Sequence, residues 1–68
     1  MPNPPISVYA VEELVRFKSG PRWCINEVFY RRQQAWYYAN KLIESSQAWA
    51  RPLKRCDVRT VRLEATHG

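Results

Sequence analysis

The chain has 68 residues, with 11 Lys and Arg against 6 Asp and Glu and a formal net charge of +5. At that length one small domain is expected, which argues against a second domain, a large catalytic cleft or a deep cofactor cavity. With 46% hydrophobic and 25% charged residues the composition is that of a folded chain, which argues against global disorder.

Residues 1–5, Met1-Pro2-Asn3-Pro4-Pro5, carry three prolines and read as an extended lead-in. Residues 6–17 follow, with Tyr9, Val11, Val15 and Phe17 on one parity interrupted only by Glu13, a pattern that suits a half-buried strand. A helix is the rival there, with Ser7 as its cap and Gly20-Pro21 as its stop. The strand is preferred because the next segment resembles the second arm of a hairpin. Lys18-Ser19-Gly20-Pro21 has turn chemistry, since glycine permits positive φ and proline cannot donate to a ladder. Residues 22–30 then alternate. Trp23, Ile25 and Phe29 share one face with Glu27, and Cys24, Asn26, Val28 and Tyr30 take the other. Either face can be the core, the first being the more apolar.

From residue 31 to about 46 the period changes to that of a helix, with Ala35, Ala39, Leu42, Ile43 and Ser46 on one stripe. Trp36 and Tyr38 border the stripe and are expected to belong to the core. Tyr37, Lys41 and Glu44 point to solvent. Residues 47–54 read as a loop and residues 55–65 as a strand, for which Val58, Thr60, Val61 and Leu63 are suitable. Val61 and Leu63 share a face, whereas Val58 is out of phase with them, which points to a bulge. Residues 66–68 read as a loose tail.

The order strand, strand, helix, strand predicts a two-layer α+β domain over residues 6–65. This is a ββαβ unit with one helix on one face of a three-stranded antiparallel sheet of spatial order 2-1-3. That layout places Cys24 and Cys56 on opposite edge strands, against a disulfide, and the two are expected to be free, partly buried thiols. No CxxC or Cys/His spacing accompanies them, so neither a metal nor another cofactor is expected. The single histidine, His67, is the penultimate residue, and Gly20 and Gly68 are the only glycines. Histidine-based acid–base chemistry and a glycine-rich phosphate loop are therefore not expected, and the chain is read as a non-enzyme. No apolar run approaches the ~20 residues of a membrane span and no secretion signal opens the sequence, so a cytoplasmic location without membrane contact is expected.

Three groups are candidates for contact with a partner. Arg51, Lys54, Arg55, Arg59 and Arg62 form a basic stretch with Asp57 as the only acid between positions 51 and 62. They would suit phosphate or an acidic protein surface, and would equally serve to guard an edge strand against aggregation. Arg31 and Arg32 stand where a helix dipole disfavours cations and where no capping residue precedes them. Either they receive an acidic partner or they pair with a nearby carboxylate such as Glu27. Tyr37, exposed beside Lys41 and Gln33, is the preferred single contact residue, with Trp49 second.

The hairpin ending in Trp23-x-Ile25-x-x-Val28-Phe29, the helix with Ala35 and Ala39, and the strand Val58-Arg59-Thr60-Val61-Arg62-Leu63 resemble in layout the short accessory proteins of bacteriophages and prophages. Among these are the small coliphage inhibitor of bacterial RNA polymerase and some anti-CRISPR proteins. The resemblance covers residues 6–64 and is one of architecture, so it carries over no individual site residue. It implies a non-catalytic protein that occupies a surface of a host enzyme. At +5 the chain cannot be one of the acidic nucleic-acid mimics found among such inhibitors. The expectation is a binding module for a host protein with an acidic or mixed surface, as a monomer or an edge-strand homodimer. The alternative is a small basic nucleic-acid-binding protein that contacts phosphates through the Arg51–Arg62 cluster.

Overall fold

The computed structural model describes residues 6–65; the lead-in expected over residues 1–5 and the tail over 66–68, His67 included, lie outside the described residues. β1 is Ile6–Phe17 and β2 is Gly20–Phe29, joined through Lys18 and Ser19, so residues 6–17 are a strand rather than a helix. Gly20 opens β2 at φ +121°, in a region where a side chain would be strained. Pro21 sits opposite Arg16 on an edge strand, where the missing N–H is tolerated. After β2 come the helix α1, Arg32–Ser46, a 3₁₀ turn over Arg55–Asp57, and β3, Val58–Ala65.

Both β2 and β3 pair antiparallel with β1, giving the expected order β2-β1-β3. β1 is thus the central strand, and its backbone groups find ladder partners on both sides, which a helix ending at Gly20 could not have provided for the sheet. α1 lies over the face that carries Tyr9, Val11 and Phe29, as the contacts of Arg32 with Tyr9 and of Tyr38 with Phe29 show. Among the described residues, no helix lies on the opposite face.

Two details of strand phase differ from the sequence reading. Val11 faces Glu27 while Glu12 faces Ile25, so Asn26 is left without a partner and forms a bulge in β2. The bulge inverts the alternation. Glu27 and Phe29 lie on the helix side, but Trp23 and Ile25 pair with Leu14 and Glu12 on the open side, where Val28 also lies opposite Ala10. Trp23, Ile25 and Phe29 therefore do not share a face. Conversely, β3 has no bulge, because its register with β1 runs unbroken from Ile6↔Ala65 to Glu13↔Val58. Val58 is out of phase with Val61 and Leu63 because it faces the helix and they do not.

The third difference is at residues 55–57, expected in the strand. Here the chain turns once before β3 begins: the Lys54 N–H donates to Asp57 Oδ2 at 3.0 Å and the Asp57 N–H donates to Lys54 O at 2.9 Å. An aspartate able to return to the backbone three residues earlier competes with ladder pairing.

The buried residues are few: Ala10, Val11, Ala35, Leu53 and Ser46. Ala35 lies on the predicted inner line of α1, where a methyl group lets the helix approach the sheet. Ser46 ends that line. Its hydroxyl donates to Ile43 O at 2.6 Å and accepts from the Leu53 N–H at 2.8 Å, so the buried oxygen ties the helix end to the following loop. Leu53 is the buried residue of that loop. No buried side-chain polar atom among the described residues lacks a partner.

Candidate functional site

The start of α1 combines a weak helix end with exposed aromatic and cationic side chains. Arg31 occupies the N-cap position with extended φ/ψ, makes no capping hydrogen bond, and is followed by no acid in the first turn. Neither Arg31 nor Arg32 has a carboxylate partner among the described residues, so of the two alternatives the pairing with Glu27 is not formed. Instead Arg32 places its guanidinium 5.6 Å from the centre of the Tyr9 ring, within the range of a cation–π contact. Glu27 is occupied locally, accepting from the Val28 N–H at 3.1 Å.

Beside this end the helix leaves a shallow hollow of about 370 Å³ lined by Phe29, Gln33, Gln34, Tyr37 and Tyr38. Phe29 and Tyr38 form its floor, their rings 5.2 Å apart and tilted by 50°. The Tyr38 hydroxyl donates to Asn26 Oδ1, and Asn26 Nδ2 donates to Glu13 Oε1 at 3.2 Å. This relay ties the helix to the bulge and to the central strand, and it gives the unpaired Asn26 a use. Tyr37 forms the outer wall at 66% exposed, with Lys41 Nζ 5.6 Å from its ring centre. Tyr30 and Trp36 are also exposed. Trp36 therefore does not belong to the core. It stands on the β3 side of α1, at a separate groove of about 430 Å³ shared with Ile43, Arg55, Val58 and Thr60.

The basic stretch expected from residues 51–62 is not one patch. Arg51 and Lys54 line a groove beside the end of β1 with Trp49 and Arg16. Arg55 turns to the other side and donates to Asn40 Oδ1 at 3.3 Å. Arg59 and Arg62, three residues apart on a strand, lie on opposite faces. Arg62 reaches Glu64 and Ser7 Oγ on the helix side, each at 3.1 Å. Arg59 is on the open side, 2.7 Å from Glu12 and 4.1 Å above the Trp23 ring. Of the eight residues singled out from the sequence, Arg31, Arg32 and Tyr37 belong to the start of α1, with Tyr37 on the hollow and Arg32 turned to Tyr9, and the other five are spread over four places.

No protein-family model matches the chain, and no curated protein or solved structure matches it. Among the described residues, no three of His, Cys, Asp and Glu are grouped as metal ligands, and no helix is long and apolar enough to cross a membrane. Both cysteines are free, Cys24 half-buried and Cys56 exposed on the 3₁₀ turn rather than partly buried on an edge strand.

The apolar character of the open side was missed by sequence reasoning. Ile6, Ile25, Val28 and Leu63 are exposed there, next to half-buried Val8, Leu14, Trp23 and Val61. A signal for it existed. In residues 22–30 both parities contain a polar residue, Glu27 on one and Asn26 on the other, so no unbroken alternation gives a clean apolar face.

Proposed function

We propose that this chain is a small non-enzymatic binding protein that modulates another protein by surface contact, as do the phage and prophage accessory proteins whose layout it resembles. The observation that carries the reading is the aromatic hollow beside the first turns of α1, with Tyr37 as its exposed wall. Arg31 and Arg32 lie next to it in sequence, free of carboxylates. Tyrosine and arginine are the residues that concentrate binding energy at protein interfaces, because they offer large contact area together with hydrogen-bond donors. An acidic or mixed surface is the matching partner.

The dispersal of Arg51, Lys54, Arg55, Arg59 and Arg62 weighs against the nucleic-acid alternative, since a phosphate backbone is held by a continuous basic track. Two of the five are also paired with carboxylates.

The test compares capture of host proteins by the wild-type chain and by Tyr37→Ala and Arg32→Ala. A partner retained by the wild-type chain and lost by both variants, with unchanged melting temperature, is the expected result. Equal capture by all three would reject this surface. Tight binding of a duplex or single-stranded oligonucleotide, with affinity falling linearly in log–log form as salt rises, would transfer the reading to nucleic acid.

A further inference from the structure

The face of the sheet opposite α1 is more apolar than the face the helix covers. Its rows, taken from the strand pairing, are Val8 with Leu63, then Val28 with Ala10 and Val61, then Ile25 with Glu12 and Arg59, then Leu14 with Trp23. Ile25 is 54% exposed, and Val28 and Leu63 also stand open. Only five residues of the described domain are buried, and both cysteines are free. Small domains with thin cores commonly gain stability by associating, and a contiguous apolar patch on a soluble chain marks a contact surface.

We propose that this face packs against the same face of a second copy of the chain, forming a two-fold homodimer. Three observations favour a second copy as the occupant. The first is charge. The chain carries +5 overall, but within the apolar rows the charged residues are Glu12 and Arg59, one of each sign and already 2.7 Å apart, and Arg16, next along the same face, is held by Asp57 at 3.8 Å. This is a surface on which two identical cationic chains can meet without net repulsion. In a two-fold interface each copy offers the same neutral pair to the other.

The second is size. The rows from Ile6 to Leu14 across three strands span about 30 Å by 15 Å, so two flat faces would cover about 900 Å², before side-chain relief is added. That is under the ~1,200 Å² of stable specific interfaces and in the class of weak, transient contacts, so the dimer is a weak one. The third is the state of the edges. β2 carries Pro21 and the Asn26 bulge, and β3 carries Arg59, Arg62 and Glu64, features that discourage edge-to-edge pairing. Face-to-face packing of the aligned type, with sheets ~10 Å apart, avoids them.

Sedimentation equilibrium of the whole chain from about 5 to about 500 µM tests the proposal. The wild-type chain is expected to pass from monomer to dimer across this range. Ile25→Lys and Leu63→Lys, on two different strands and at exposed positions, are expected to weaken dimerisation at least about 100-fold by burying a charge. Both should keep the wild-type circular dichroism spectrum, and Tyr37→Ala should dimerise normally. A wild-type chain that stays monomeric at the highest concentration overturns the proposal, even if this face then binds some other protein. So does a dimer that survives both lysine variants, which would place the contact at a strand edge. Neither result bears on the hollow beside α1, which is a separate surface.

Discussion

The two faces of the sheet differ in an unexpected direction. The face under α1 mixes apolar Tyr9, Val11, Val15, Phe29 and Val58 with polar Ser7, Glu13, Glu27, Thr60 and Arg62. The face without a helix carries Ile6, Val8, Ala10, Leu14, Trp23, Ile25, Val28, Val61 and Leu63, with Glu12, Arg16 and Arg59 as its charged residues. A narrow helix with alanine on its inner line seals only the strip around Val11. Its flanks are closed by polar links such as Tyr38–Asn26–Glu13 and by the cation–π contact of Arg32 with Tyr9. Coverage by the chain's own helix is therefore not what decides where the large apolar residues stand. The wider apolar surface is left uncovered by the described residues.

The sharpest way to break this comparison is to shorten one valine on each face. Val11→Ala, under the helix at 0% exposed, is expected to lower the unfolding free energy by about 2–3 kcal/mol. Val8→Ala on the open face should cost under about 1 kcal/mol in dilute solution, where the chain is monomeric. Urea unfolding at low concentration checks both. Equal losses would mean that the two faces are equally buried. A smaller effect is expected from Asn26→Ala, which removes both links of the relay to Tyr38 and Glu13. Loss of about 1 kcal/mol is expected, with the largest amide-shift changes at the bulge and at Tyr38. The smallest belongs to the open face. Arg59→Ala removes a partly exposed ion pair and a stacking contact on Trp23. It should cost less than about 1 kcal/mol while moving the Trp23 fluorescence to longer wavelength as the ring becomes wetter.

The candidate site was legible in part. Tyr37, opposite the Ala35 stripe on a 3.6-residue period, is outward in the structure, as the period requires. Arg31 and Arg32 were visible as cations at a helix start lacking a cap, and that is how they stand. Trp36 was not legible as a surface residue. A position bordering the stripe is buried only if the sheet beneath is wide enough at that point, and here β3 leaves a groove.

Most of the secondary structure was set by local chemistry, and so could be read from sequence alone; the turn at residues 55–57 was the exception. Alternation in residues 6–17, turn residues at Lys18 to Gly20, and the alanine-centred stripe through Ser46 each constrain neighbouring residues through backbone geometry. The order 2-1-3 follows from hairpin pairing and one crossing helix. Strand phase, by contrast, depends on which residue lies across the ladder. The bulge at Asn26 exists because its amide finds Tyr38 and Glu13, residues distant in sequence that only folding brings near. That single slip sends Trp23 and Ile25 to the open face. In the same way, alternation and one 3₁₀ turn point Arg51 through Arg62 in different directions. The sequence by itself determined which elements form and how many cations they carry. Tertiary structure alone decided which side chains share a surface, because that depends on pairing between residues that the linear order keeps apart.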